Sequence, residues 1–376
     1  MRQLRSGLWI CLALVITLST SWSQTNIEAA VGTMLDDNVN NNSLRLSDRI
    51  TTLGLQAGYD WITDATNTGL EYSGSYNYFG IVPGRTYQYH TAGFTFAQLF
   101  GEEQQTLWKS GASYGIRSDR EDYAFYDHTS LSVYTTIKTP LSENILGRTG
   151  YTFRTMRFSE LEAFDYAEHS LFAQTSFFLP SRTTVIAEAS LGYKLYRTPN
   201  DDSSVVNRGR GRGSSVTSSP SVTQATGLVR IGQGLGENTG VSLTGGYQIN
   251  LQKEVRYLGS DYGVVSDDEI FDDHYGYEGP QASLMLTQML PWEMQARLTG
   301  SWQRRTYASQ SAYDALGTLV AADRLDTRMA LNVQLHIPID WLGCTVGLAY
   351  DYIRNTSNDT FFTYGNNAIT LQLSYP

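Results

Sequence analysis

The sequence predicts an all-β fold: a transmembrane antiparallel up-and-down β-barrel of about sixteen strands, with fourteen or eighteen left open. Three observations carry the prediction. Apolar and polar residues alternate strictly in repeated segments of about the 9–11 residues that a tilted strand needs to cross a bilayer. The connectors between these segments alternate between short and long. The chain also holds 25 Tyr and 34 Gly while only 17% of its residues are charged. No apolar stretch beyond the amino terminus approaches the roughly 20 residues of a membrane helix, and the mean hydropathy is −0.29. A barrel reconciles these facts, because only every second strand residue faces lipid.

The first segment is expected to be a signal. Arg2 and Arg5 precede an apolar run from Leu8 to Leu18, and Ser21-Trp22-Ser23 places small residues where a signal peptidase reads them. Residues 1–23 are thus the secretory signal and 24–376 one barrel domain. Cys11 lies inside the apolar run instead of after it, which argues against lipidation. Only Cys344 remains after cleavage, so the mature chain forms no internal disulfide. The formal net charge of −10 speaks against general nucleic-acid binding. Export plus a barrel points to the outer membrane of a Gram-negative bacterium.

The alternation is plain in three places. Val241, Leu243, Gly245, Tyr247, Ile249 and Leu251 interleave with Ser242, Thr244, Gly246, Gln248, Asn250 and Gln252. Met294 to Trp302 and Thr327 to Ile337 repeat the pattern. A helical period would mix the two faces. The same reading places strands near 26–35, 49–61, 68–79, 87–99, 106–117, 128–138, 145–156 and 166–179. The second half gives 184–196, 222–232, 240–252, 276–289, 293–306, 324–337, 342–353 and 364–375. Alternation is weak near 87–99 and 276–289.

Short connectors fall at Thr63–Asn67, Gly101–Gln105, Thr139–Asn144, Pro180–Thr183, Gln233–Thr239, Leu290–Trp292 and Pro338–Trp341. Long ones fall at 36–48, 118–127, 157–165, 197–221, 253–275, 307–323 and 354–363. Short periplasmic turns and long external loops are the outer-membrane pattern. Pro140, Pro180, Pro291 and Pro338 lie in the short turns, as expected of a residue that cannot donate to a ladder. Pro280 sits near the start of a strand, where a rim would tolerate it.

At the carboxyl end Gly365, Asn367, Ile369, Leu371, Leu373 and Tyr375 share one face of a final strand. This resembles the terminal strand read by the barrel assembly machinery, although Pro376 follows the aromatic. The assembly signal is therefore assigned to Gly365, Ile369, Leu371, Leu373 and Tyr375. Near the other end, Ala30-Val31-Gly32 leads into Asp36-Asp37-Asn38-Val39, with Ser47-Asp48 before Leu53-Gly54-Leu55. The stretch resembles the opening of the second β-barrel porin family, exopolysaccharide-associated, porin-like barrels, with Leu35 where an aromatic is more usual. That resemblance covers about the first thirty mature residues and implies a barrel and polymer export, without identifying any catalytic residue.

If the apolar face meets lipid, the other face lines a lumen. Its candidate pore residues are Arg148, Arg154, Arg230, Arg297, Arg305, Arg328, Glu188 and Asp326. Lys109, Arg117, Lys138, Lys194, Asp60, Glu71, Glu168 and Asp351 share that face. Cations lead on it, and rings of Arg and Lys in a pore favour anions; mutual pairing of these charges is the equal alternative. The acidic loop at Asp267, Asp268, Glu269, Asp272 and Asp273 lacks the spacing of a calcium loop. Asn207 to Gly213 reads as a flexible basic segment. His169 and Ser170 are strand neighbours on opposite faces, and the histidines show no metal-ligand spacing, so neither enzyme nor metal nor cofactor is expected. The expected function is a porin-like channel for diffusion or export of polar, anionic solutes or polysaccharide. The alternative is a non-conducting barrel serving as surface adhesin or scaffold for an extracellular polymer. Expected partners are outer-membrane lipid and lipopolysaccharide, the assembly machinery and an anionic polysaccharide.

Overall fold

Sixteen strands close into one antiparallel barrel in which each strand pairs with its sequence neighbours and the last pairs with the first. The computed structural model describes residues 23–101, 105–198, 220–255 and 274–376. The expected signal, apart from Ser23, lies outside the described residues, as do the acidic loop at 267–273 and the basic segment at 207–213. The first four strands are β1 (Ser23–Asp36), β2 (Asp48–Ile62), β3 (Thr66–Phe79) and β4 (Tyr87–Phe100). Then come β5 (Thr106–Asp119), β6 (His128–Ser142), β7 (Ile145–Phe158) and β8 (Tyr166–Leu179). The second half begins with β9 (Thr183–Tyr196), β10 (Ser221–Gly234), β11 (Thr239–Lys253) and β12 (Gly279–Met289). It ends with β13 (Gln295–Tyr313), β14 (Leu319–Ile339), β15 (Cys344–Ser357) and β16 (Tyr364–Tyr375).

Side-chain parity sorts the two faces. Leu53, Leu70, Leu171, Leu243, Leu331 and Leu371 are all exposed on the outward side. A continuous exposed apolar belt of this kind is the surface of a barrel that spans hydrocarbon. Trp292 and Trp341, each 83% exposed, stand at short turns, the position of an interfacial aromatic girdle. Ile369, Leu371, Leu373 and Tyr375 are exposed on the same outward face. They stand opposite Leu35, Thr33, Val31 and Ala29 of β1, and that pairing closes the barrel.

Three expectations change. Residues 307–323 are not a long loop: β13 and β14 continue to Tyr313 and from Leu319, joined by a tight turn. The Asp314 carboxylate accepts hydrogen bonds from the Leu316 and Thr318 N–H groups at 2.8 Å each, and Gly317 supplies φ +73°. Ladder pairing needs only backbone, so it can persist beyond the bilayer, where outward side chains need not be apolar. The sequence pattern therefore fades before the strand does. Pro140 and Pro338 lie within strand ends instead of turns, Pro140 beside a register shift. The twelfth strand starts at Gly279, because His274–Gly276 forms a 3-10 turn folded into the barrel.

The Asp-rich motifs acquire a physical meaning here. Asp36 accepts the Asn38 N–H at 2.7 Å. Asp37 accepts the backbone N–H and side-chain amide of Asn367 on β16, both at 2.7 Å. The Asn38 amide donates to Gly365 O at 3.1 Å, and Asn366 donates back to Asn38 O at 3.0 Å. Asp48 accepts the N–H groups of Ile81 and Val82 at 2.8 and 2.9 Å. The motif fastens the first loop across the junction of first and last strands, and the second acid anchors the next loop.

Candidate functional site

The inward face divides into two tiers. Toward the long loops its charges are buried and stacked on aromatic rings. Toward the short turns Lys109, Lys138, Arg148 and Arg230 stand exposed, while Asp60, Glu188 and Arg297 are half-buried.

In the loop-end tier the Arg85 guanidinium lies 5.1 Å from the Phe79 ring and 5.8 Å from the Tyr123 ring. Arg117 pairs with Asp119 at 2.8 Å and lies 4.0 Å from the Tyr87 ring. The Lys194 ammonium sits 4.1 Å from the Tyr166 ring and 5.0 Å from that of Tyr196. Arg305 donates to Gln303 Oε1 at 2.8 Å and stacks 4.5 Å from the Tyr277 ring. Arg324 lies 3.3 Å from the Phe362 ring and 4.1 Å from that of Tyr307. A desolvated cation over a ring gains about 2 kcal/mol, which offsets part of the cost of leaving water. Arg324 also donates through Nε to Asp326 Oδ1 at 3.1 Å, and Asn355 donates to Asp326 Oδ2 at 3.1 Å. Arg305 stands directly opposite Asp326 in the ladder.

A segment after β11 seals part of this tier. Tyr275 is only 2% exposed and packs with Tyr166, Tyr196 and Val222. Its hydroxyl donates to Glu168 Oε1 at 3.0 Å. The carbonyls of His274, Tyr275 and Tyr277 accept from Gln224 at 2.7 Å, Asn250 at 2.8 Å and Gln248 at 2.8 Å. The inward amides of β10 and β11 are therefore a docking surface for backbone, not water-facing lining. Gly192 makes room: a Cβ there would lie 2.2 Å from the Tyr275 hydroxyl. Nearby, Asp165 in the β7–β8 connector accepts the Phe158 N–H at 2.7 Å, and partial burial raises its carboxyl above the ordinary aspartate value.

All eight candidate pore residues point inward, but they divide between the tiers. Arg305 and Asp326 are 6% and 1% exposed, packed within the loop-end tier instead of lining open water. Arg154 stands opposite Glu168, which stands opposite Lys194, so charge alternates across β7, β8 and β9. Glu188 accepts from Gln174 at 2.8 Å. Arg230 donates to Thr244 at 3.2 Å. Arg328 is half-buried opposite Gln303 and Asn355. Arg297 carries a buried Nε with no hydrogen-bond partner. Arg148 is exposed, opposite Lys138 and Gln174. Sequence parity missed Arg85, which lies in a loop, and Arg324, whose strand was expected to begin with it. It also missed their aromatic partners; the one available signal was the density of Tyr at inward strand ends.

His90 and His169 each bond an outward tyrosine, Tyr72 at 2.8 Å and Tyr151 at 2.6 Å. His128 Nδ1 is 2.8 Å from the Tyr126 carbonyl. Among the described residues no group of three acidic, His or Cys side chains is placed to hold a metal ion.

Comparison with solved structures finds the same fold. Pseudomonas aeruginosa OccK8 (OprE) superposes with a TM-score of 0.51 at 10% identity, covering 94% of this chain and 97% of that one. A bacterial polysaccharide outer membrane secretin gives 0.50 at 8% identity, with 93% and 97% covered. The fold is that of outer-membrane porin barrels. Residues 236–375, from the turn before β11 to the end of β16, match the family model for surface lipoprotein assembly modifier. No curated protein matches the chain in sequence.

Proposed function

We propose that the protein is an outer-membrane channel that passes polar, preferentially anionic solutes or an anionic polysaccharide through its lumen, without catalysing a reaction. The observation that carries this reading is a closed sixteen-strand barrel with a lipid-facing belt outside and exposed cations inside. Barrels of sixteen strands leave an aqueous channel, and exposed Lys109, Lys138, Arg148 and Arg230 give part of that channel a positive wall, while exposed Glu28 and Glu71 line another part. The packed loop-end tier narrows the same lumen. Lipopolysaccharide and the assembly machinery follow as partners from an outer-membrane location.

Reconstitution in planar bilayers tests the reading. Stable open steps with a reversal potential on the anion side are expected; cation preference overturns the anion part, and a silent barrel overturns the channel. A second reading is favoured by the partly sealed loop end and by the match over 236–375. In it the barrel acts at the surface, in the assembly of a lipoprotein or as an adhesin or polymer scaffold. Loss of surface lipoprotein from a deletion strain, together with a silent bilayer, would decide for it.

A further inference from the structure

Three inward cations near the short turns share one patch of the lumen wall. Lys138 on β6 stands directly opposite Arg148 on β7. Lys109 on β5 stands opposite Thr136, two residues from Lys138 on the same face. Directly opposed side chains in a sheet have Cβ atoms about 4.5–5.5 Å apart, and diagonal ones about 7–8 Å. Three positive charges therefore share one patch, and like charges directly opposite one another destabilise a sheet.

Among the described residues no carboxylate neutralises them. All three are exposed to the lumen, and none makes an ion pair or side-chain hydrogen bond among the described residues. Arg148 has only the Phe172 ring, 5.3 Å away. The nearest inward carboxylate along the ladder is Glu188, two strands beyond Arg148, and Gln174 stands between them and donates to it. Glu143 lies in the β6–β7 turn, exposed. By contrast Arg117, Arg305 and Arg324 each hold a polar or charged partner at 2.5–2.8 Å. The three cations surround a recess of about 290 Å³, whose wall also carries Thr136, Gln174 and Ser176. Cationic donors beside neutral hydroxyl and amide groups make a cradle for a multiply charged oxyanion.

We propose that Lys109, Lys138 and Arg148 form a binding subsite for phosphate-type oxyanions at the short-turn mouth of the barrel. The subsite deepens the channel reading: it is the point at which a phosphorylated solute, or an anionic group on a polymer, is first captured. The shared chemistry is a polyanionic oxygen cluster, and the probes separate a free ion from a chain. A phosphate-type anion bridging Lys138 and Arg148 relieves the repulsion that the empty ladder carries.

The test uses the full chain in detergent micelles and in bilayers, with inorganic tripolyphosphate and orthophosphate as probes. Calorimetric titration is expected to show tripolyphosphate binding that weakens with salt, and at least tenfold weaker binding for the triple variant K109Q/K138Q/R148Q. In bilayers, tripolyphosphate added on the short-turn side is expected to block current in the wild type and not in the triple variant. Block by tripolyphosphate without block by orthophosphate identifies a polymer-type ligand, and equal block identifies the free ion. A conducting wild type that neither binds nor is blocked overturns the subsite and leaves the channel standing. A silent barrel overturns the channel, while titration still judges the subsite. If the triple variant does not fold, Lys138→Gln alone decides. It relieves the in-register repulsion, so its urea midpoint should equal or exceed wild type while binding weakens; unchanged binding refutes the inference.

Discussion

Substituting Gly192 tests whether the seated Tyr275 narrows the lumen. Gly192 faces inward on β9, directly under the Tyr275 ring. A Cβ at this position would lie 2.2 Å from the Tyr275 hydroxyl and 2.9 Å from both Cε1 and Cζ. Contact under 3.0 Å requires displacement, and the rigid ring, 2% exposed among Tyr166, Tyr196 and Val222, has no free direction in which to turn. Gly192→Ala should therefore unseat the ring and not merely tilt it. What is lost is the hydroxyl bond to the Glu168 carboxylate, 3.0 Å long, together with the ring's contact 5.8 Å from the Lys194 ammonium. A hydrogen bond to a charged group contributes about 1.5–3 kcal/mol. A loss of about 2 kcal/mol lowers the seated population relative to the unseated one by roughly thirtyfold. Single-channel recording should then show larger or more frequent open steps for Gly192→Ala, with a lower urea midpoint. Tyr275→Phe, which removes the bond without a clash, should fall between the variant and wild type. Identical steps and an identical midpoint for Gly192→Ala would refute the reasoning, because they would mean that the ring yields at no cost.

Other predictions concern stability. Asp326→Ala leaves Arg324 buried without its carboxylate, and breaking a buried pair costs about 3–5 kcal/mol; urea unfolding in micelles measures it. Arg324→Met with Asp326→Leu should recover most of that loss, and a double variant no better than the single would contradict the account. Leu371→Arg puts a charge on the lipid face of the closing strand, at about 2–4 kcal/mol near the bilayer midplane. Its folded, fast-migrating band on unboiled gels should diminish, whereas Thr370→Arg on the lumen face should not diminish it.

The barrel was legible in the sequence wherever lipid imposes a pattern. Leu243, Leu331 and Leu371 are exposed on the outward face, where a bilayer demands apolar residues, and their neighbours face inward. Strand number and most ends followed from that alternation, even near 87–99, where it is weak. The pattern was silent about Ala308 to Ala312, because a strand that has left the bilayer is under no such constraint. The inward cations were legible as a set, since parity alone places them. Their division was not. Gln248 and Asn250 fell on the face expected to line the lumen, and only the fold brings the carbonyls of Tyr277 and Tyr275 onto them, with that of His274 on Gln224.

The sequence by itself therefore determined the closed barrel and its strands, because periodicity against a bilayer is a local property of each segment. Tertiary structure decided which of the inward charges are buried and which remain open to a ligand. That distinction depends on loops returning into the barrel from far along the chain, as Tyr275 does to reach Glu168. It depends also on cross-strand register, which sets Lys138 against Arg148 and Arg305 against Asp326.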